Sequence, residues 1–110
     1  MVSSLSETDP GVSNLGCWKD TRDRAVPVLY ASFRFQLNWD RIEHSVEQCL
    51  RVAKAMNMKY FAVQFYGECW GTHENNHNAP ADYQKHGSKN NCFKNKVGMR
   101  WSFVMYQINF

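Results

Sequence analysis

The chain has 110 residues and a formal net charge of +3, with 44 % hydrophobic and 15 % aromatic side chains. That length sets one domain and leaves no room for a two-lobed enzyme architecture. The composition is too apolar and too aromatic for a disordered chain, and 13 basic against 10 acidic side chains fall short of the Lys/Arg density of a nucleic-acid surface.

Residues 1–14, "MVSSLSETDPGVSN", are polar and lack the apolar segment of a secretion signal. They read as a flexible lead-in, with a single domain over 15–110. "LGCWKD", 15–20, runs from apolar to charged and predicts an early strand. "RAVPVLYASFRFQL", 24–37, is rich in β-branched and aromatic residues, and Phe33, Phe35 and Leu37 alternate with Arg34 and Gln36, the period of a half-buried strand. Pro27 has no N–H to donate, which confines any strand before it to an edge.

The period then changes. Ile42, Val46, Cys49, Leu50, Ala53 and Met56 recur at spacings of three and four, one apolar stripe of a helix. Asp40 with Glu43 and Ser45 with Gln48 both have capping-box spacing, so the start falls between 40 and 45. The end falls near Asn57, a residue that tolerates the left-handed conformation after a last turn. Tyr60 to Tyr66 is a nearly continuous apolar run and predicts a central strand covered on both faces. Gly67 and Gly71 bracket "ECW".

Next comes His73-Glu74-Asn75-Asn76-His77, which spells the H-E-x-x-H signature of zinc proteases. That motif works through a helix, which puts both histidines on one face with the glutamate beside the metal-bound water. Here Gly71 and Thr72 precede it, Asn78, Ala79 and Pro80 follow it, and two consecutive asparagines sit inside it. These are poor helix formers, and Pro80 disfavours helical geometry before it. The segment reads as a surface loop, with at most adventitious metal binding by the two histidines. Pro80 then opens a short predicted helix, "PADYQKHG", stopped by Gly87. "GMRWSFVMYQINF", 98–110, closes the chain as a strand in which Trp101, Phe103 and Met105 alternate with Ser102, Val104 and Tyr106. The element order predicts an α+β fold: a small antiparallel or mixed sheet with one main helix packed across it.

Cys17, Cys49, Cys69 and Cys92 form no C-x-x-C pair, which argues against a zinc cluster. An even number at wide spacing reads as two disulfides in an exported domain, against four buried free thiols in a cytosolic one. Four cysteines allow three connectivities. Cys49 lies on the helix stripe, so its partner comes from whatever the helix packs on. No G-x-S-x-G elbow and no Gly-rich phosphate loop is present. The expectation is therefore no enzyme, no cofactor and no bound metal.

The segments "LGCWKDTRDRAVP", "VEQCLRVAKAMNMKYFAVQFYGECW" and "YQKHGSKNNC" together resemble a cysteine-rich extracellular module of marine invertebrate proteins. That module is similar to the WSC domain and, more loosely, to PAN/apple modules. The resemblance spans about 15–108 and departs from the WSC pattern in having fewer cysteines. The C-x-C after the strand is also missing, because Cys69 is followed by Trp70 and Gly71. The resemblance implies the pairing Cys49–Cys69 and Cys17–Cys92, secretion, and glycan or extracellular protein recognition without membrane insertion.

Sugar binding uses an aromatic face together with planar polar groups. The candidate ligand residues are Tyr66, Glu68, Trp70, Glu74 and Asn75 around the "QFYGECWGTHENN" turn, with Asp20 and Arg24 from the opening loop. They would share a rim if the opening and central strands were neighbours. Against this, a Trp beside a disulfide also serves simple core packing, and Asp20 and Arg24 also suit an exposed ion pair. The alternative function is a protein-interaction or matrix module. It would attract an acidic partner through Lys85, Lys89, Lys94, Lys96 and Arg100.

Overall fold

The computed structural model describes residues 11–33, 43–65, 67–73, 76–77, 79, 81–94 and 96–109. Its regular elements are β1 (Val12–Lys19), β2 (Val28–Ser32), α1 (Glu43–Ala55), β3 (Tyr60–Gln64), β4 (Glu68–Gly71) and β5 (Ser102–Ile108). The strands form one sheet in the order β1-β5-β3-β4-β2, and every paired neighbour is antiparallel. The apolar run YFAVQ therefore occupies the middle, as its composition predicts, and Phe61, Ala62, Val63 and Gln64 are all buried.

Alternation along the strands divides the sheet into two faces. On one, Phe61, Val63, Cys69, Val104, Tyr106 and Ile108 pack against Val46, Cys49, Leu50 and Ala53 of α1. Phe61 stacks on Tyr106 with ring centroids 5.1 Å apart. On the other face, Ala62, Trp70, Phe103 and Met105 pack with Ala25 and Val26, and Trp18, Ala81 and Tyr83 close over them. Each fully buried large side chain contributes about 1.5–3 kcal/mol. A helix covers the first face and irregular chain covers the second.

Helix α1 starts inside the expected window. Ser45 is buried within it, which rules out the second capping alternative, while Asp40 and Ile42 lie outside the described residues. The end is a Schellman turn: Asn57 N–H donates to Lys54 O at 3.1 Å and Met58 N–H to Ala53 O at 2.9 Å, around Asn57 at φ 60°. Met56 therefore falls beyond the helix and is 42 % exposed; it is not part of the buried stripe.

Two disulfides join the layers, Cys49–Cys69 between α1 and β4 and Cys17–Cys92 between β1 and the late loop. No described cysteine is free. With sequence separations of 20 and 75, chain entropy assigns them about 3 and about 4.5 kcal/mol. Two bridges in so small a domain are compatible with an oxidising, extracellular setting.

Several expectations change. β1 begins at Val12 rather than Leu15. Only Val28–Ser32 of the 24–37 segment is strand among the described residues; Ala25 and Val26 instead tuck under the sheet. Glu68–Gly71 is a strand that the bracketing glycines concealed. Residues 83–86 form a turn, not a helix, and Ser88 bridges to Trp18, because tertiary partners outweigh the local signal. Tyr83 stands edge-on to Trp18 at 5.4 Å, Lys85 pairs with Asp23 at 3.1 Å, and His86 Nε2 donates to Asp23 O at 2.7 Å.

Candidate functional site

The loop-covered face carries a polar cluster at one end of the sheet, where β3 stops and β4 and β5 start. Its anchor is Asp20, 2 % exposed. Asp20 N–H donates to Trp101 O at 2.9 Å. Its Oδ1 accepts from Ala25 N–H at 3.1 Å and its Oδ2 from Arg24 NH1 at 2.9 Å. These bonds curl the opening loop over this face and bring Arg24 to the tryptophans. The Arg24 guanidinium lies 4.6 Å from the Trp70 ring centroid and 4.9 Å from the Trp101 ring centroid, a cation between two π faces. Such a contact is worth about 0.5–2 kcal/mol per ring, depending on desolvation. Trp70 is 9 % exposed, and its indole N–H donates to Glu68 Oε1 at 3.2 Å.

The turn before β5 completes the wall. Gly98 N–H donates to Val63 O at 2.9 Å, and a Cβ at Gly98 would collide with the backbone of Ser102 and Phe103. That close approach requires glycine. Met99 N–H then donates to Ser102 Oγ at 2.9 Å and Ser102 N–H to Met99 O at 3.2 Å. This reciprocal tie presents Arg100 and Trp101 at the rim. Trp101 has φ 58° and Phe65, across the opening, has φ 47°. A non-glycine residue held in that region costs on the order of 1–3 kcal/mol, and such residues cluster at functional sites.

The result is a cavity of about 420 Å³ lined by Arg24, Gln64, Phe65, Glu68, Trp70, Arg100 and Trp101. Gln64 is 4 % exposed and lines this cavity, and its amide is not among the buried side-chain groups left without a partner. The amide therefore opens onto space that a ligand or water can occupy. The site thus combines aromatic surface, an amide, a carboxylate and two guanidinium groups on a disulfide-braced frame.

Of the candidate residues, Arg24, Glu68 and Trp70 line this cavity and Asp20 holds Arg24 from behind. Tyr66, Glu74 and Asn75 lie outside the described residues. The opening strand does not neighbour the central one, since β5 intervenes; the opening loop crosses the face instead. Gln64, Phe65, Arg100 and Trp101 were not singled out for this site. Gln64 is hidden inside an apolar run, and Trp101 passes for one more alternating strand residue. Arg100 passes for part of a basic segment whose other charges disperse, with Lys85 bound to Asp23 and Lys94 over the Phe93 ring at 5.6 Å.

The HENNH histidines sit elsewhere. His73 and His77 line a second cavity of about 400 Å³ with Val28, Tyr30, Met56, Met58 and Thr72. The Tyr30 hydroxyl donates to Cys49 O at 3.0 Å, and burial raises its pKa far above the ordinary tyrosine range. Among the described residues no three His, Cys, Asp or Glu side chains are grouped to hold a metal, and no helix is long and apolar enough to cross a membrane. Comparison of the chain with protein families, with curated proteins and with solved structures finds no match.

Proposed function

We propose that this chain is a secreted, WSC-like recognition module that binds carbohydrate in the cavity between Trp70, Arg24 and Trp101. The observation that carries the reading is the grouping of the Gln64 amide with two indoles and two guanidinium groups around one cavity. Its volume of about 420 Å³ lies within the range of small-molecule sites. Amide, carboxylate and guanidinium groups match the paired donor and acceptor character of sugar hydroxyls. Trp101 supplies the apolar surface for the C–H face of a pyranose, because it is the more exposed of the two rings. Trp70, buried under Arg24, serves as wall rather than platform. The chemistry is recognition, not catalysis: Glu68, the carboxylate among the described lining residues, already accepts the Trp70 indole N–H.

Glycan-array binding followed by titration calorimetry tests this. The expected result is a sugar ligand retained at high salt, with binding lost in Trp101→Ala and weakened in Gln64→Leu. The absence of any glycan ligand, or wild-type affinity in both variants, removes the proposal. Binding confined to polyanions and abolished at moderate salt would instead favour the acidic-partner reading of the basic 85–100 segment.

A further inference from the structure

The second cavity gathers a donor set that the carbohydrate reading leaves unused. Met56, Met58, His73 and His77 all line it. The Schellman turn places Met56 and Met58 on either side of Asn57. Met58 is 1 % exposed, and its terminal methyl lies where a Cβ on Gly71 would be, so glycine at the end of β4 makes room for it.

The histidine loop is closed on itself and pinned to the helix end. Thr72 Oγ1 donates to Asn76 O at 2.9 Å and Asn76 N–H to His73 O at 2.8 Å. Lys59 N–H donates to His77 O at 2.9 Å. His77 Nδ1 is 3.1 Å from Met56 O. A carbonyl only accepts, so that bond puts the ring proton on Nδ1 and leaves the Nε2 lone pair free. Metal-binding histidines are commonly oriented by the same kind of bond to a backbone carbonyl.

We propose that this cavity binds one copper(I) ion through the Met56 and Met58 sulfurs and the His73 and His77 imidazoles. Thioethers are soft ligands that select copper(I), whereas zinc sites draw on thiolate, imidazole and carboxylate. Four neutral donors leave a single positive charge in a space partly walled by Val28 and Tyr30, a far smaller desolvation cost than a dication would incur. Tyr30 offers no phenolate, since its hydroxyl donates to Cys49 O. The described cysteines are all in disulfides, so no thiolate competes. The i, i+4 spacing of the histidines thus serves a loop site, without the helix that a zinc protease needs. This site is separate from the carbohydrate cavity and does not depend on it.

The test uses the full, disulfide-intact chain. Copper(I), held reduced by ascorbate without oxygen, is titrated against a chromogenic copper(I) chelator. Silver(I), redox-inert, is followed by NMR of methionine methyl groups. The expected result is one ion per chain, not displaced by zinc, with shifts at Met56 and Met58 but not at Met99 or Met105. Met56 and His73 are exposed, so Met56→Leu and His73→Ala retain the fold and should each weaken binding by about 10-fold or more. Failure to compete with the chelator, binding unchanged in the double variant, or shifts centred on Met99 and Met105 would overturn the assignment.

Discussion

The two faces of the sheet use the same strands and reach opposite solutions. The face under α1 is almost wholly apolar, and its few polar groups are backbone-bonded, such as the Tyr30 and Tyr106 hydroxyls on the Cys49 and Lys96 carbonyls. Among the described residues no helix covers the opposite face. It is closed by loops that bring Asp20, Arg24 and Trp101 over Trp70, beside Gln64 and Glu68 at the strand ends. A helix can satisfy its own backbone and cover a sheet with hydrocarbon alone, whereas covering loops must find partners for their N–H and C=O groups. Those partners create polarity beside the core, and the polarity is where a ligand can be read. In this small domain one face supplies cohesion and the other supplies chemistry.

The largest effects are expected on the cohesive side. Replacing Cys17 and Cys92 together by Ala should cost about 4.5 kcal/mol, and replacing Cys49 and Cys69 about 3 kcal/mol, measured by urea denaturation. Against a total stability of roughly 5–15 kcal/mol, the first variant should sit near the unfolding threshold. An equal or reversed pair of losses would show that native-state strain or residual unfolded-state structure, rather than loop length, sets the two values.

Phe61→Ala and Phe103→Ala sharpen the comparison, because both rings are essentially fully buried, one on each face. Each should cost about 3–5 kcal/mol. Phe103 pairs with Gln64 across the strands, so only its loss should also weaken ligand binding in the folded fraction. Equal damage to binding from Phe61→Ala would mean that the two faces do not divide labour.

Asp20→Asn isolates the chemistry from the cohesion. It keeps the volume but exchanges a carboxylate that holds both Arg24 and the Ala25 N–H for an amide whose nitrogen can only donate. Charged hydrogen bonds of this kind contribute about 1.5–3 kcal/mol, and the partial exposure of Arg24 reduces the loss towards about 2 kcal/mol. The Arg24 guanidinium should then leave its place between the two indoles. Tryptophan fluorescence should report that movement at denaturant concentrations where far-UV dichroism is unchanged.

How far each face was legible in the sequence follows the same division. The helix stripe Val46–Cys49–Leu50–Ala53, the Asn57 stop and the central position of Tyr60–Gln64 all carry a period or a residue type that local physics decodes. The disulfide pairing agrees with the family resemblance and with the burial of Cys49. On the other face, Glu68, Trp70 and Arg24 stood out by residue type. Nothing local reveals that Arg24 slides between Trp70 and a ring 31 positions after it, Trp101. Gln64 is one polar letter in an apolar strand, and its importance is visible only once the strand ends at a cavity. The missed strand at Glu68–Gly71 and the turn at 83–86 fail for one reason: contacts distant in sequence, with β2 and with Trp18 and Asp23, outweigh the glycine and proline signals.

The smallest effects offer the finest test, since the same backbone change can be made on each side. Asn57 ends the helix and Phe65 rims the cavity, and both hold φ in the left-handed region, at 60° and 47°. Glycine relieves that strain on either side but loses more entropy on folding. Asn57→Gly should therefore raise stability by well under about 1 kcal/mol, since asparagine already tolerates the conformation. Phe65→Gly relieves a larger penalty, of order 1 kcal/mol, and gives up only the contacts of a half-buried ring, so its net effect on stability should be close to zero. Binding separates the two: if the cavity takes the proposed sugar, Asn57→Gly should leave its affinity unchanged, while Phe65→Gly should reduce it by removing one wall of the opening. If Phe65→Gly is instead strongly destabilising and binds normally, Phe65 belongs to the cohesive part of the molecule, and the strain at the rim is a cost of closing the β3–β4 turn, not a feature of the site.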